Sequence, residues 1–139
     1  MANRVISGFG FHHIGLKAAD YEKSRAFYRA LGMEEILSWG EGERAISLFD
    51  IGDGGKIEIF ANGGEEFSPN GKWIHFALRS GDVDAAYAAA LSVGATPITP
   101  PKTVELNSRP RLATIRVAFV AGPDGEQIEL FSELEDQRR

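Results

Sequence analysis

Short stretches with alternating apolar and polar residues, interrupted by two stretches with helical spacing, run through this chain in a fixed order. Residues 11–17 predict a strand, because Ile14 and Leu16 take alternate positions and strand side chains alternate between faces. Asp20 then stands as a helix N-cap ahead of Tyr21, Ser24, Phe27, Tyr28 and Leu31, which share a helical face, with Gly32 as the stop. Residues 34–38, 44–49 and 56–60 follow as strands. The order then returns. Residues 73–79 read as a strand, and a helix follows between Asp82 and Gly94 with Val83, Ala86, Tyr87, Ala90 and Leu91 on one face. Strands at 96–98, 114–120 and 127–131 complete the second half. Asp53-Gly54-Gly55 and Pro123-Asp124-Gly125 mark tight turns, where glycine supplies the positive φ the backbone needs. The pattern is βαβββ twice, an α+β arrangement.

The two halves also repeat in sequence. His13, Leu16, Asp20, Gly32 and Ile36 recur at one constant offset as His75, Leu78, Asp82, Gly94 and Ile98. Lys56-Ile57-Glu58-Ile59-Phe60 recurs as Gln127-Ile128-Glu129-Leu130-Phe131 at a longer offset. The excess falls in 100–112 of the second half. With Pro100, Pro101 and Pro110 beside Lys102, Arg109 and Arg111, that stretch is expected to be a solvated basic loop, the alternative being a lid that meets an anionic substrate.

Strand parity sorts the polar residues. His13, Glu58, His75 and Glu129 each sit beside aliphatic or aromatic neighbours, Ile14, Ile57 and Ile59, Ile74 and Phe76, Ile128 and Leu130. If the helices cover the apolar face, all four polar side chains point to the other one. Lys17, Asn62, Arg79 and Glu133, four residues along from each, are expected to share it. Phe60 and Phe131 have the same parity as the glutamates, and with Trp39 and Trp73 they are candidates to line a binding cup. His12 has the opposite parity and reads as a packed histidine under the helix. Two imidazoles and two carboxylates are donors that a borderline divalent ion selects, such as zinc, nickel, manganese or ferrous iron.

Composition narrows the field. At 139 residues the chain is expected to fold as a single domain, 1–139, with modules at about 9–62 and 72–132. A net charge of −5 argues against nucleic acid and favours a small-molecule substrate as partner. No cysteine is present, so disulfides, thiolate ligands and a cysteine nucleophile are excluded. No stretch reads as a signal peptide or a membrane span, which makes a cytoplasmic, membrane-free protein the expectation. Residues from Glu133 to Asp136 and the arginines after them read as a solvated tail.

His13-Ile14-Gly15-Leu16, Asp20 to Phe27-Tyr28, Leu31-Gly32, and Gly122-Pro123-Asp124-Gly125 leading to Ile128-Glu129-Leu130 resemble the glyoxalase, bleomycin-resistance and dioxygenase (vicinal oxygen chelate) superfamily. That resemblance implies two βαβββ modules with curved mixed sheets forming a cup-shaped half-barrel, often within a homodimer. The set His13, Glu58, His75 and Glu129 is most similar to the metal ligands of lactoylglutathione lyases, and Asn62 matches an asparagine of those enzymes that contacts glutathione. The resemblance therefore implies a metal-dependent lyase or isomerase. Glu129 or Glu58 would take a proton next to a carbonyl, and the metal would stabilise the enediolate. Lys17, Asn62 and Arg79 are the candidate substrate contacts. A metal-free protein that binds a small molecule such as an antibiotic, a metal-dependent epimerase and an extradiol dioxygenase are the alternatives on the same scaffold.

Overall fold

The computed structural model describes residues 3–30, 32–64, 73–122 and 127–135. Leu31, the Pro123-Asp124-Gly125 turn and the tail beyond Glu135 lie outside them. In chain order the elements are β1 (Gly10–Lys17), α1 (Tyr21–Ala30), β2 (Glu34–Trp39), β3 (Ile46–Asp50), β4 (Lys56–Phe60), β5 (Trp73–Arg79), α2 (Val83–Ser92), β6 (Thr96–Leu106), β7 (Ala113–Ala121) and β8 (Gln127–Leu134). This is βαβββ twice. The strands lie in the order β2-β3-β4-β1-β5-β8-β7-β6 in one mixed sheet. Within each repeat the first strand runs parallel to the last, β1 with β4 and β5 with β8, whereas β2 with β3, β3 with β4, β6 with β7 and β7 with β8 are antiparallel.

The chain divides into two compact units. One comprises His13–Ile74 and Asn107–Leu112; the other comprises Met1–His12, His75–Leu106 and Ala113–Arg139. In the first, Ile57 and Ile59 of β4 pack with Phe49 and Ala18, and Tyr21 and Tyr28 of α1 close over them together with Ile14. Asp20 caps α1 by accepting the Lys23 N–H at 3.0 Å, and Gly32 ends it at φ +95°. Phe27 departs from the expected helical face: it is 56% exposed. Tyr21 and Tyr28 stand two turns apart and set the buried stripe, whereas Phe27 lies about 100° of helix rotation from Tyr28.

Charged groups fasten α1 to β2. Arg25 donates two hydrogen bonds to the Glu35 carboxylate, at 2.7 and 2.8 Å, and Arg29 adds a third at 3.0 Å. Burial by itself would raise Glu35, but the hydrogen bonds from Arg25 and Ser47 and the charges of Arg25 and Arg29 prevail and hold its carboxyl below the usual range. The Tyr21 hydroxyl is hydrogen-bonded to Ser47, and burial raises its pKa above that of a free phenol. In the second unit Asp82 caps α2 by accepting the Ala85 N–H at 3.0 Å. Val83 and Ala86 pack against Ala118 and Leu130, and Arg116 of β7 forks onto Asp84 with two bonds of 2.7 Å.

Three expected boundaries move. Arg44 belongs to a 3-10 turn at Gly42–Arg44, and β3 begins at Ile46. β8 continues to Leu134, pairing with Thr114, so Glu133 lies in a strand and not in a tail. The largest correction concerns residues 100–112, expected as a loop. β6 runs through Pro97, Pro100 and Pro101 to Leu106, and only Asn107–Leu112 connects it to β7. Proline lacks the N–H a central strand requires, but β6 is the last strand of the sheet, where one side needs no partner. Pro100 and Pro101 also fall within a register shift between Thr99 and Lys102, the bulge geometry that tolerates proline. The connecting segment is itself tied down, not lid-like: Ser38 and Arg109 exchange backbone hydrogen bonds of 2.8 and 2.7 Å.

Candidate metal centre

Both glutamates sit in the same local frame. In the first unit Glu58 lies between Gly15 on the parallel neighbour and Leu48 on the antiparallel one. In the second, Glu129 lies between Ala77 and Phe119. A small residue on one side thus leaves room for the carboxylate, and a large apolar one walls it on the other. Each histidine stands two positions before that small residue, on the same strand face. This places it diagonally across from the glutamate, within reach of a long side chain. His13 Nε2 lies 3.4 Å from Glu58 Oε1, and His75 Nε2 lies 3.1 Å from Glu129 Oε2.

The parity argument holds within each unit. Ile57 and Ile59 face α1, and Ile128 and Leu130 face α2. Ala77 and Phe131, which share parity with His75 and Glu129, pack instead with Ile115 and Val117. The relative exposures of His13, Glu58, His75 and Glu129 are 0%, 6%, 8% and 6%. Those values exclude the ordinary state of a strand glutamate, solvated at the surface; a buried carboxylate needs a partner or a cation.

The other expected site residues fare differently. Lys17 and Arg79 end β1 and β5 at equivalent positions, and both are exposed. The Arg79 guanidinium lies against Gly10 so closely that a Cβ there would come within 2.6 Å of Nη2. Asn62 is exposed as well, but β4 ends at Phe60 and Asn62 has φ +66°, so strand alternation does not extend to it. His12 is packed, as expected, and its ring lies 4.0 Å from that of Phe131. Trp73 is half exposed. Phe119 had no place in the sequence reading, yet its ring meets His75 edge-on at 6.0 Å. It stands as far beyond Leu48 as Glu129 stands beyond Glu58, and that shared spacing was the signal available for it.

The profile of one protein family matches residues 10–130, nearly the whole length of the two repeats. The chain belongs to the glyoxalase/bleomycin resistance protein/dioxygenase superfamily. It is also 32% identical over 124 residues to the uncharacterized protein YwbC of Bacillus subtilis (strain 168), covering 86% of this chain and 94% of that one. Among solved structures, methylmalonyl-CoA epimerase from Mycobacterium tuberculosis has the same fold, with a TM-score of 0.70 at 19% identity, over 97% of this chain and 94% of that one. The Mn(II)-bound glyoxalase from Novosphingobium aromaticivorans matches with a TM-score of 0.62 at 18% identity, over 94% of this chain and 42% of that one. No helix among the described residues is long and apolar enough to cross a membrane.

Proposed function

We propose that His13, Glu58, His75 and Glu129 together hold one divalent metal ion, and that the protein is a lyase or isomerase that moves a proton next to a carbonyl. The observation that carries this reading is that each unit buries one histidine–glutamate pair at the equivalent place, His13 Nε2 3.4 Å from Glu58 Oε1 and His75 Nε2 3.1 Å from Glu129 Oε2. Nitrogen and oxygen donors in equal number suit zinc, nickel, manganese or ferrous iron. A bound cation would act as a Lewis acid, stabilising negative charge that develops on substrate oxygens when the neighbouring carbon loses its proton.

The chain's own residues supply the rest. Glu129 or Glu58 takes the proton from carbon and returns it to the adjacent carbon, an isomerisation, or to the same carbon from the other face, an epimerisation. Burial keeps competing water from the carboxylates. His75 and His13 hold them in place from 3.1 and 3.4 Å. Lys17 and Arg79, matching cations at the ends of matching strands, hold an anionic part of the substrate, and Asn62 contributes an amide contact. Both a glutathione hemithioacetal and a 2-substituted acyl-CoA thioester fit this chemistry. Epimerisation of the latter is the reaction named for the Mycobacterium structure.

Two measurements test the reading. Elemental analysis of untagged, dialysed protein is expected to give about one divalent metal per chain, lost in the double variant His13→Ala, Glu129→Ala. Incubation in D2O with either substrate class is expected to place deuterium on the carbon next to the carbonyl, with Glu129→Gln and Glu58→Gln each assayed as metal-loaded protein. Absence of metal after incubation with all four ions would overturn the proposal and leave a metal-free small-molecule binder.

A further inference from the structure

The internal repeat exposes a difference on the helix side of the second unit. At the same offset that carries His13 to His75, Phe27 and Tyr28 of α1 correspond to Ala89 and Ala90 of α2. In the first unit the Tyr28 ring covers the apolar face of β4. In the second, alanine leaves that space open, and a cavity of about 400 Å³ lies between α2 and the sheet. Ala86, Ala89 and Ala90 form one wall, and Val120, Ile128 and Leu130 form the floor. Ala86, Val120 and Leu130 are buried. Ile6 and Phe9, from the segment before β1, pack in from the side.

We propose that this cavity is a binding site for a small, neutral, apolar molecule, of the size of one or two rings or a short aliphatic chain. Every residue lining it is aliphatic, aromatic or glycine, so an ordered water would find no side-chain partner there, and a charged group would find nothing to replace its hydration. Packed interiors keep few voids larger than a water molecule. An apolar cavity of about 150 Å³ is enough to take benzene, and this one is more than twice that volume. Val5 and Val93 at its rim are exposed, which gives a small molecule a way in. Ile128 and Leu130 alternate with Glu129 on β8, so the cavity lies on the sheet face opposite that carboxylate and shares no residue with the candidate metal centre.

The test is a methyl NMR titration of the full chain with toluene, up to its aqueous solubility. The expected result is a saturable shift of the methyl signals of Ala86, Ala89, Ala90, Val120, Ile128 and Leu130. That shift is expected to disappear in Ala90→Tyr, which places the first helix's residue in the second, and in the milder Ala90→Leu should the tyrosine variant fail to fold. No saturable shift in the wild-type protein would overturn the proposal. So would shifts that persist unchanged in a folded, filled variant.

Discussion

If four donors close on one cation, metal binding must show as stability, because the ion binds the folded chain and not the unfolded one. At a free metal concentration about 1,000 times Kd the gain is about 4.1 kcal/mol. Unfolding entropy of roughly 2.1 cal/mol/K per residue, over 139 residues, is about 0.3 kcal/mol per kelvin, so Tm should rise by about 14 °C. Glu129→Gln keeps the side chain's volume and its reach towards His75, 3.1 Å away, while removing one of two anionic donors. Loss of an outer-shell partner alone costs roughly 10–100-fold in affinity, so loss of a ligand is taken as at least about 100-fold. At the same metal concentration the gain then falls to about 1.4 kcal/mol or less, and the Tm rise to about 5 °C or less. Differential scanning fluorimetry or calorimetry of both proteins, with and without zinc, nickel, manganese and ferrous iron, reads the difference directly. Equal shifts in the two proteins would refute the assignment of Glu129 as a ligand, and no shift with any ion would refute the site.

Other consequences follow from the scaffold. Asp82→Ala removes the acceptor of the Ala85 N–H and is expected to cost about 1 kcal/mol in chemical denaturation, with Asp82→Gly milder. The folded-state pKa of Glu35 is depressed, so its contribution to stability is present above the unfolded carboxylate pKa and lost as pH falls through the folded value. The acid limb of a stability–pH curve should therefore flatten in Glu35→Gln, and an unchanged limb would remove Glu35 from the account. Replacing Pro100 and Pro101 by valine would give the outermost strand new N–H groups and a flatter, more β-prone edge. Light scattering at raised concentration is expected to show more association than in the parent chain.

Much of this protein is written in its local pattern. Strand alternation and helical spacing depend on neighbouring residues alone, so the βαβββ order, the caps at Asp20 and Asp82 and the stop at Gly32 were legible in the sequence. The same holds for the face taken by Glu58 and Glu129, because parity is fixed once a strand is. Repetition made the histidines legible as well, by placing one on the first strand of each half and a glutamate on the last. What the sequence left open depends on which strands become neighbours. Prolines forbid a central strand but not an outermost one, and only the sheet order shows that β6 is outermost. Asn107–Leu112 looks like a free loop until its backbone bonds to Ser38 are seen. His12 and Phe119 meet their partners, Phe131 and His75, across an intervening strand of the sheet, which only the strand order reveals. The burial of both carboxylates was likewise undecided by parity, which says which face a side chain takes and nothing about what covers that face.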